Sequence, residues 1–156
     1  MSPQLGFFKL NVDASFFPTP REASLRMLVC DHSGFTHICA ATKVDNIDSP
    51  LQAELKAILF GLKDVSNNHF PFLMIESDSL LAIREIKKQH DSYCEWEGFI
   101  YGIINLSFEF PLCSFKNIKR YANSCAHNLA RLATEIRDYK VWKNFLPPSF
   151  SNLDSN

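Results

Sequence analysis

The sequence lacks the features that mark membrane-spanning and exported proteins. No apolar run approaches the ~20 residues that a helix needs to cross a bilayer. Residues 1–10 contain no basic segment followed by an apolar stretch, so we expect no signal peptide. These absences predict a nuclear or cytoplasmic protein that is not secreted and has no membrane partner.

The cysteine pattern excludes two further classes. The five cysteines are odd in number and widely scattered, and no CxxC pair occurs, so neither a zinc knuckle nor a redox motif is indicated. We interpret them as reduced and mostly buried thiols. They are Cys30, Cys39, Cys94, Cys113 and Cys125.

Composition favours one globular domain. The chain has 156 residues, of which 46% are hydrophobic and 21% charged, which argues against wholesale disorder. A chain of this length buries roughly two thirds of its unfolded surface. We assign residues 1–146 to the domain and 147–156, which begin with two prolines, to a polar tail. The sequence contains no internal repeat and no low-complexity segment.

The net charge of −1 conceals an uneven distribution. Residues 1–111 hold 9 Lys or Arg against 14 Asp or Glu, whereas residues 112–145 hold 7 against 2. An acidic site beside a basic segment is typical of metal-assisted chemistry on a polyanion. A solvated basic face explains the same charge count equally well.

Hydrophobic periodicity predicts alternating strands and helices. Ser49, Pro50 and Gln52 form a helix start with an N-cap, a first-turn proline and a capping-box residue. Ser77 or Asp78 is predicted to cap the next helix. The predicted strands are 7–16, 24–30, 35–43, 72–76 and 112–119, and the predicted helices are 50–66, 79–89, 95–108 and 123–142. This order predicts an α/β fold with a mixed sheet and helices on both faces.

Three carboxylates stand out in this predicted order of strands and helices. Asp13 interrupts the first strand, Glu54 lies on the apolar stripe of the first helix, and Asp78 follows the fourth strand. We expect the three to converge, and a cluster of carboxylates binds hard divalent cations. Each residue also has an ordinary explanation: the polar face of a half-exposed strand, a helix-border glutamate reaching solvent, and a helix N-cap.

Four segments in order resemble a known family. They are KLNVDAS at 9–15, QAELKA at 52–57, IESDS at 75–79 and RYANSCAHNLA at 120–130. The chain resembles type 1 ribonuclease H domains, most closely the retroelement-derived, reverse-transcriptase-associated kind abundant in plants. The resemblance extends from about Phe8 to Trp142. It implies the ribonuclease H-like fold, a five-stranded mixed sheet with three antiparallel strands followed by two parallel ones.

The resemblance also implies a mechanism and a set of site residues. Two Mg²⁺ ions about 4 Å apart would promote hydrolysis of the RNA strand of an RNA–DNA hybrid. The ligands implied are Asp13, Glu54, Asp78 and His127, with Asp13 bridging both ions. Contacts to nucleic acid are expected from Ser15, Lys119, Arg120 and Asn123. We expect a monomer without a small-molecule cofactor.

Several positions depart from the family pattern. His127 stands where a fourth carboxylate is expected, which predicts weaker activity and a preference for Mn²⁺, unless His127 merely packs on the last helix. The second strand lacks the glycines of relatives, and Ala14 replaces another. A basic, Trp-rich protrusion is also missing. Two functions therefore stay open: a hybrid-cleaving endonuclease, or a catalytically degenerate domain that binds nucleic acid or protein.

Overall fold

The structure is a computed structural model that describes residues 6–66, 70–88, 97–120 and 140–143. Within these ranges lie six strands and three helices. The strands are β1 Phe7–Phe17, β2 Glu22–Cys30, β3 Thr36–Asp45, β4 Phe72–Ser77, β5 Leu112–Asn117 and β6 Lys140–Lys143. The helices are α1 Pro50–Ser66, α2 Leu80–Lys87 and α3 Glu97–Ser107. None of these helices has the length and apolarity that crossing a lipid bilayer requires.

The strands form a single mixed sheet in the order β5-β4-β1-β2-β3-β6. β1, β2 and β3 pair antiparallel, whereas β1, β4 and β5 pair parallel. The predicted five-stranded arrangement, with three antiparallel strands followed by two parallel ones, is confirmed. The parallel pairs follow from the helical connections, because parallel neighbours need a long crossover.

The short strand β6 corrects the predicted last helix. We expected helix up to Trp142, but Lys140–Lys143 pairs antiparallel with β3. The physical reason is that the outer edge of β3 carries backbone donors and acceptors that need partners. Residues 123–139, the rest of that predicted helix, lie outside the described part of the chain.

Helix α1 begins as the sequence predicts. The N–H of Gln52 donates to Ser49 Oγ at 3.1 Å, and Gln52 Oε1 accepts from the N–H of Asp48 at 2.6 Å. The first bond satisfies a donor that a helix start otherwise leaves unpaired, and the second ties the residue before the cap to the first turn. The helix start is thereby held in one place, and Glu54 lies on the second turn.

The core lies between α1 and the sheet. The side chains of Leu10 and Val12 are fully buried on β1, facing α1. α1 contributes Leu55, Ile58 and Leu62, which are also fully buried. Two polar residues of the same strand, Asn11 and Asp13, are buried as well.

The described cysteines are Cys30, Cys39 and Cys113, and none of the three forms a disulfide bond. Cys39 is buried and the other two are half-buried. Burial raises the pKa of the Cys113 thiol to about 11. These properties agree with reduced structural thiols.

Candidate metal centre

Asp13 is an interior carboxylate on the central strand. Its exposed fraction is 3%, so it does not belong to the polar face of a half-exposed strand. Asp13 Oδ1 accepts the N–H of Ala14 at 2.9 Å. A buried carboxylate needs a cation, a metal or hydrogen bonds to offset the loss of hydration.

Glu54 projects from α1 toward the same place. Its side chain is half-buried, and its Oε2 atom is buried without a hydrogen-bond partner among the described residues. Burial, followed by repulsion from Asp13 and then Asp78, raises the pKa of Glu54 well above its ordinary 4.5. A carboxylate in this setting favours a cation or a proton beside it.

Asp78 joins β4 to α2. The N-cap of α2 is Ser79, whose Oγ accepts the N–H of Ala82 at 3.2 Å. The prediction that Ser77 or Asp78 caps this helix is therefore wrong. Ser77 instead accepts the N–H of Ser79 through its hydroxyl at 3.1 Å. Capping by Ser79 leaves the half-buried Asp78 carboxylate one residue before the cap, beside the site.

The three carboxylates converge as predicted. Asp13, Glu54 and Asp78 each offer an oxygen, and these oxygens all lie within 4.8 Å of one another. An octahedral Mg²⁺ with ligands at about 2.1 Å holds its oxygens within about 4.2 Å of one another. The donor set and its spacing therefore fit a hard divalent cation after small side-chain movements.

A cation from the protein already lies among these carboxylates. Arg26 Nη2 donates to Asp13 Oδ2 at 3.2 Å, and the Arg26 side chain is fully buried. Arg26 is not among the predicted site residues, and the only departure expected in its strand was the absence of glycines. The strand register contained the signal, because Asp13 and Arg26 are directly opposed in the β1–β2 pair.

A second polar cluster extends from Asp13 along the sheet. Asn11 Nδ2 donates to Glu76 Oε2 at 3.4 Å, and Lys9 Nζ lies 3.5 Å from Glu76 Oε1. Glu76 is buried, and its charge is offset by that lysine. Glu76 therefore has its own counter-charge in Lys9.

An open cleft of about 320 Å³ gives access to the centre. Glu54 and Asp78 line it together with Arg120. The remaining lining residues are Pro50, Leu51, Ser79 and Leu81. A carboxylate pair facing a guanidinium across a cleft can accommodate a cation and a phosphate side by side.

The other predicted site residues fall in three places. Ser15 is half-buried on β1, opposite Ser24 of β2. Lys119 and Arg120 are exposed and follow β5. His127 and Asn123 lie outside the described residues.

The sequence matches one family model over residues 11–133, under the description "Reverse transcriptase-like". The chain belongs to the reverse transcriptase-like family. The matched range covers all three carboxylates, and it includes His127. No curated protein matches the sequence.

Solved structures with the same fold include several ribonucleases H. Ribonuclease H1 from Halobacterium salinarum has 18% identity and a TM-score of 0.75, covering 83% of this chain and 98% of its own. An N-terminal ribonuclease H domain from Mycobacterium tuberculosis has 15% identity and a TM-score of 0.74, covering 83% and 94%.

A third relative, the compost-derived LC11 ribonuclease H1, was solved in complex with an RNA/DNA hybrid. That structure has 18% identity and a TM-score of 0.72, covering 82% of this chain and 96% of its own. The resemblance to ribonuclease H domains is thereby confirmed for the family and the fold, and the plant retroelement origin stays a prediction.

Proposed function

We propose that the chain is a divalent-metal-dependent endonuclease that hydrolyses the RNA strand of RNA–DNA hybrids, with weakened activity. The observation that carries this proposal is the convergence of Asp13, Glu54 and Asp78 from a strand, a helix and a strand end. The complex of a relative of the same fold with an RNA/DNA hybrid supports the substrate class.

The chain's own residues suit the binding of two Mg²⁺ ions, with Mn²⁺ as an alternative. Asp13 would be the ligand shared by both ions, Glu54 and Asp78 would be further ligands, and His127 would take the fourth ligand position. When bound, such ions supply an activated water and stabilise the leaving oxygen. Asp13 Oδ1 accepts the Ala14 N–H, which limits rotation of the carboxylate.

Nucleic-acid recognition is proposed for the basic residues that follow β5. Arg120 lines the cleft beside Asp78, and Lys119 precedes it on the exposed connection after β5. Ser15 and Asn123 complete the proposed contacts. Guanidinium and ammonium groups bind phosphate, while an RNA–DNA hybrid is recognised through its backbone shape and its 2′-hydroxyls.

One observation favours the second candidate, a domain that binds nucleic acid or protein without cutting. The Arg26–Asp13 ion pair puts a positive charge at the proposed bridging carboxylate. A fixed cation there opposes the entry of a divalent ion. The two candidates share the fold and differ only in turnover.

The test is cleavage of an RNA–DNA hybrid labelled on the RNA strand, first with Mg²⁺ and then with Mn²⁺. We expect RNA cleavage by the unaltered chain and none by Asp13→Asn. Asp45→Asn is the matched control, because Asp45 is an exposed aspartate at the end of β3. Cleavage by both the unaltered chain and Asp45→Asn supports the nuclease.

Two results contradict the proposal. A folded protein that cleaves with neither ion but binds the hybrid is the non-cutting domain. Cleavage that persists in Asp13→Asn comes from a contaminating nuclease or from another site. Circular dichroism on each variant establishes that the fold is intact before activities are compared.

A further inference from the structure

Arg26 is the most enclosed charged side chain of the described residues. Its exposed fraction is 0%, and it lies on β2 between Asp13 of β1 and Ala41 of β3 in the sheet register. An unpaired buried guanidinium is costly, so its position requires compensating negative charge. Asp13 supplies that charge at 3.2 Å.

Both oxygens of Asp13 are engaged by groups of the protein. Oδ1 accepts the N–H of Ala14 at 2.9 Å, and Oδ2 accepts from Arg26 at 3.2 Å. A divalent ion that binds Asp13 must therefore share an oxygen with the guanidinium or displace it. The ion pair and the metal use the same atoms.

The remaining carboxylates also attract this guanidinium. Asp13, Glu54 and Asp78, in that order, raise the pKa of Arg26, although burial outweighs them and lowers it to about 10. Arg26 therefore stays protonated at neutral pH. Its Nε and Nη1 atoms and Glu54 Oε2 are buried without hydrogen-bond partners in the described ranges.

We propose that Arg26 is a resident counter-ion of the carboxylate cluster, which stabilises the fold without metal and competes with divalent cations for Asp13. The inference rests on the proposed function, because it concerns the metal requirement of that same site. Its consequence is a site that binds Mg²⁺ weakly and depends on a high metal concentration.

The size of the competition follows from charge proximity. A unit charge within about 4–6 Å shifts an ionisation equilibrium by one to three powers of ten. Removing the Arg26 charge next to a divalent ion should therefore tighten metal binding about tenfold or more. A neutral methionine has a similar unbranched shape and fills the same space.

The first test measures metal binding directly. Calorimetric titration of Mg²⁺ and Mn²⁺ into metal-free Arg26→Met should give a Kd at least about tenfold lower than for the unaltered chain. Arg84→Gln is the control, because Arg84 is exposed on α2 and its removal changes the net charge equally. A folded Arg26→Met protein that binds metal no more tightly than the control overturns the proposal.

The second test needs no metal and survives a misfolded Arg26→Met protein. In chelator-treated buffer, Asp13→Asn should lower the melting temperature, because it leaves a buried guanidinium without its anion. If the carboxylates were uncompensated, removing one of them would relieve repulsion and raise the melting temperature. A higher melting temperature for Asp13→Asn than for the unaltered chain therefore overturns the proposed counter-ion role of Arg26.

The double variant Asp13→Asn with Arg26→Met strengthens this second test. Because the double variant removes both members of the pair, it should melt at a higher temperature than Asp13→Asn alone. A double-mutant cycle reports this difference as a coupling between Asp13 and Arg26. Additive effects of the two substitutions count against the pair.

Failure of this inference is distinguishable from failure of the proposed function. If the unaltered chain cleaves the hybrid but Arg26→Met gains no metal affinity, the nuclease stands and the counter-ion role is wrong. If metal-free coupling and tighter metal binding are measured without cleavage, the counter-ion stands and the nuclease is wrong.

Discussion

Glu54 lies in surroundings that disfavour its charged form. Its pKa is raised by burial first, and then by the negative charges of Asp13 and Asp78. A raised carboxyl pKa means that the folded state binds a proton more readily than the unfolded state. The charge of Glu54 therefore does not destabilise the fold below about pH 4.5, its ordinary pKa, and the destabilisation grows as pH rises toward the folded pKa.

We predict that Glu54→Gln stabilises the metal-free protein at pH 8. The amide keeps the shape of the side chain but carries no charge, so the desolvation and the repulsion are both removed. Melting temperatures measured in chelator-treated buffer should be higher than for the unaltered chain at pH 8. The difference should shrink as pH falls toward 4.

Glu109→Gln is the control for this prediction, because Glu109 is exposed and follows α3. An equal gain from both substitutions would assign the effect to net charge. Saturating Mg²⁺ should narrow the advantage of Glu54→Gln, since a bound cation offsets the same repulsion.

For the proposed fourth ligand, we predict that His127→Asp increases Mg²⁺-dependent cleavage. Imidazole is a poor Mg²⁺ ligand and an acceptable Mn²⁺ ligand, and an added carboxylate strengthens attraction for the second ion. The ratio of Mg²⁺ to Mn²⁺ rates should rise about tenfold or more. His32→Asp, in the exposed turn before β3, is the control. An unchanged ratio means that His127 does not contribute to metal binding.

At the scale of elements, α1 and the sheet pack unusually closely at Gly61. A Cβ atom at this position would lie 3.0 Å from Val12 Cγ1 and 3.2 Å from Leu10 Cδ2. Both side chains are fully buried, and the branched Val12 has little rotamer freedom. The close approach matters for the site because α1 carries Glu54 and β1 carries Asp13.

We predict that Gly61→Ala destabilises the protein by ~1 kcal/mol. Overpacking a core contact costs about 1–3 kcal/mol, and the higher helix propensity of alanine returns up to about 1 kcal/mol. Gly98→Ala is the matched control, since nothing lies within 4 Å of its added Cβ, and it should be neutral or stabilising. Urea denaturation measures the free energy of unfolding of both variants. A gain of stability in Gly61→Ala equal to that in Gly98→Ala contradicts the tight contact.

Two helix starts set the positions of two carboxylates. Ser49 caps α1 about one turn before Glu54, and Ser79 caps α2 directly after Asp78. Both serines accept a backbone N–H three residues later. Each cap thus limits where the neighbouring carboxylate can lie.

At the scale of the whole molecule, the charge of the chain is divided between an acidic centre and a basic connection. Lys116, Lys119 and Arg120 lie on or just after β5, which is an edge strand next to β4. Asp78 follows β4, so the basic residues come to the same end of the sheet as the carboxylates. Such a distribution attracts a polyanion to one side of the three carboxylates.

We predict that the combined substitution of Lys119 and Arg120 by alanine weakens hybrid binding and its dependence on salt. Each lost phosphate contact reduces the slope of log affinity against log salt by about 0.7–0.9. Removing both should therefore reduce the slope by about 1.4–1.8. Fluorescence anisotropy of a labelled hybrid at several salt concentrations measures it.

The control for this substitution is Lys87 with Lys88, an exposed pair at the far end of α2. Its replacement by alanine removes the same charge from a different surface, so the slope should stay unchanged. Equal slopes for all three proteins would mean that Lys119 and Arg120 are ordinary surface charges.

Much of the fold could be predicted because its signals are local. The Ser49–Gln52 helix start, the Asp31–Gly34 turn and the alternation along β1 depend on neighbouring residues. β6 could not be predicted in this way, because its partner β3 lies about a hundred residues earlier and a four-residue strand carries little periodicity. The sequence also could not show that Ser79 and not Ser77 caps α2, since both residues are serines and a serine at either position can cap a helix.

The sequence by itself determined the fold class and the identity of three carboxylates, because hydrophobic periodicity and motif order are properties of the linear chain. The domain boundary at 146, the location in the cell and the monomeric state stay predictions. Only the tertiary structure decided that Asp13 is interior and that Arg26 lies against it. The physical reason is that burial and ion pairing depend on strand order and cross-strand register, which join residues far apart in the chain.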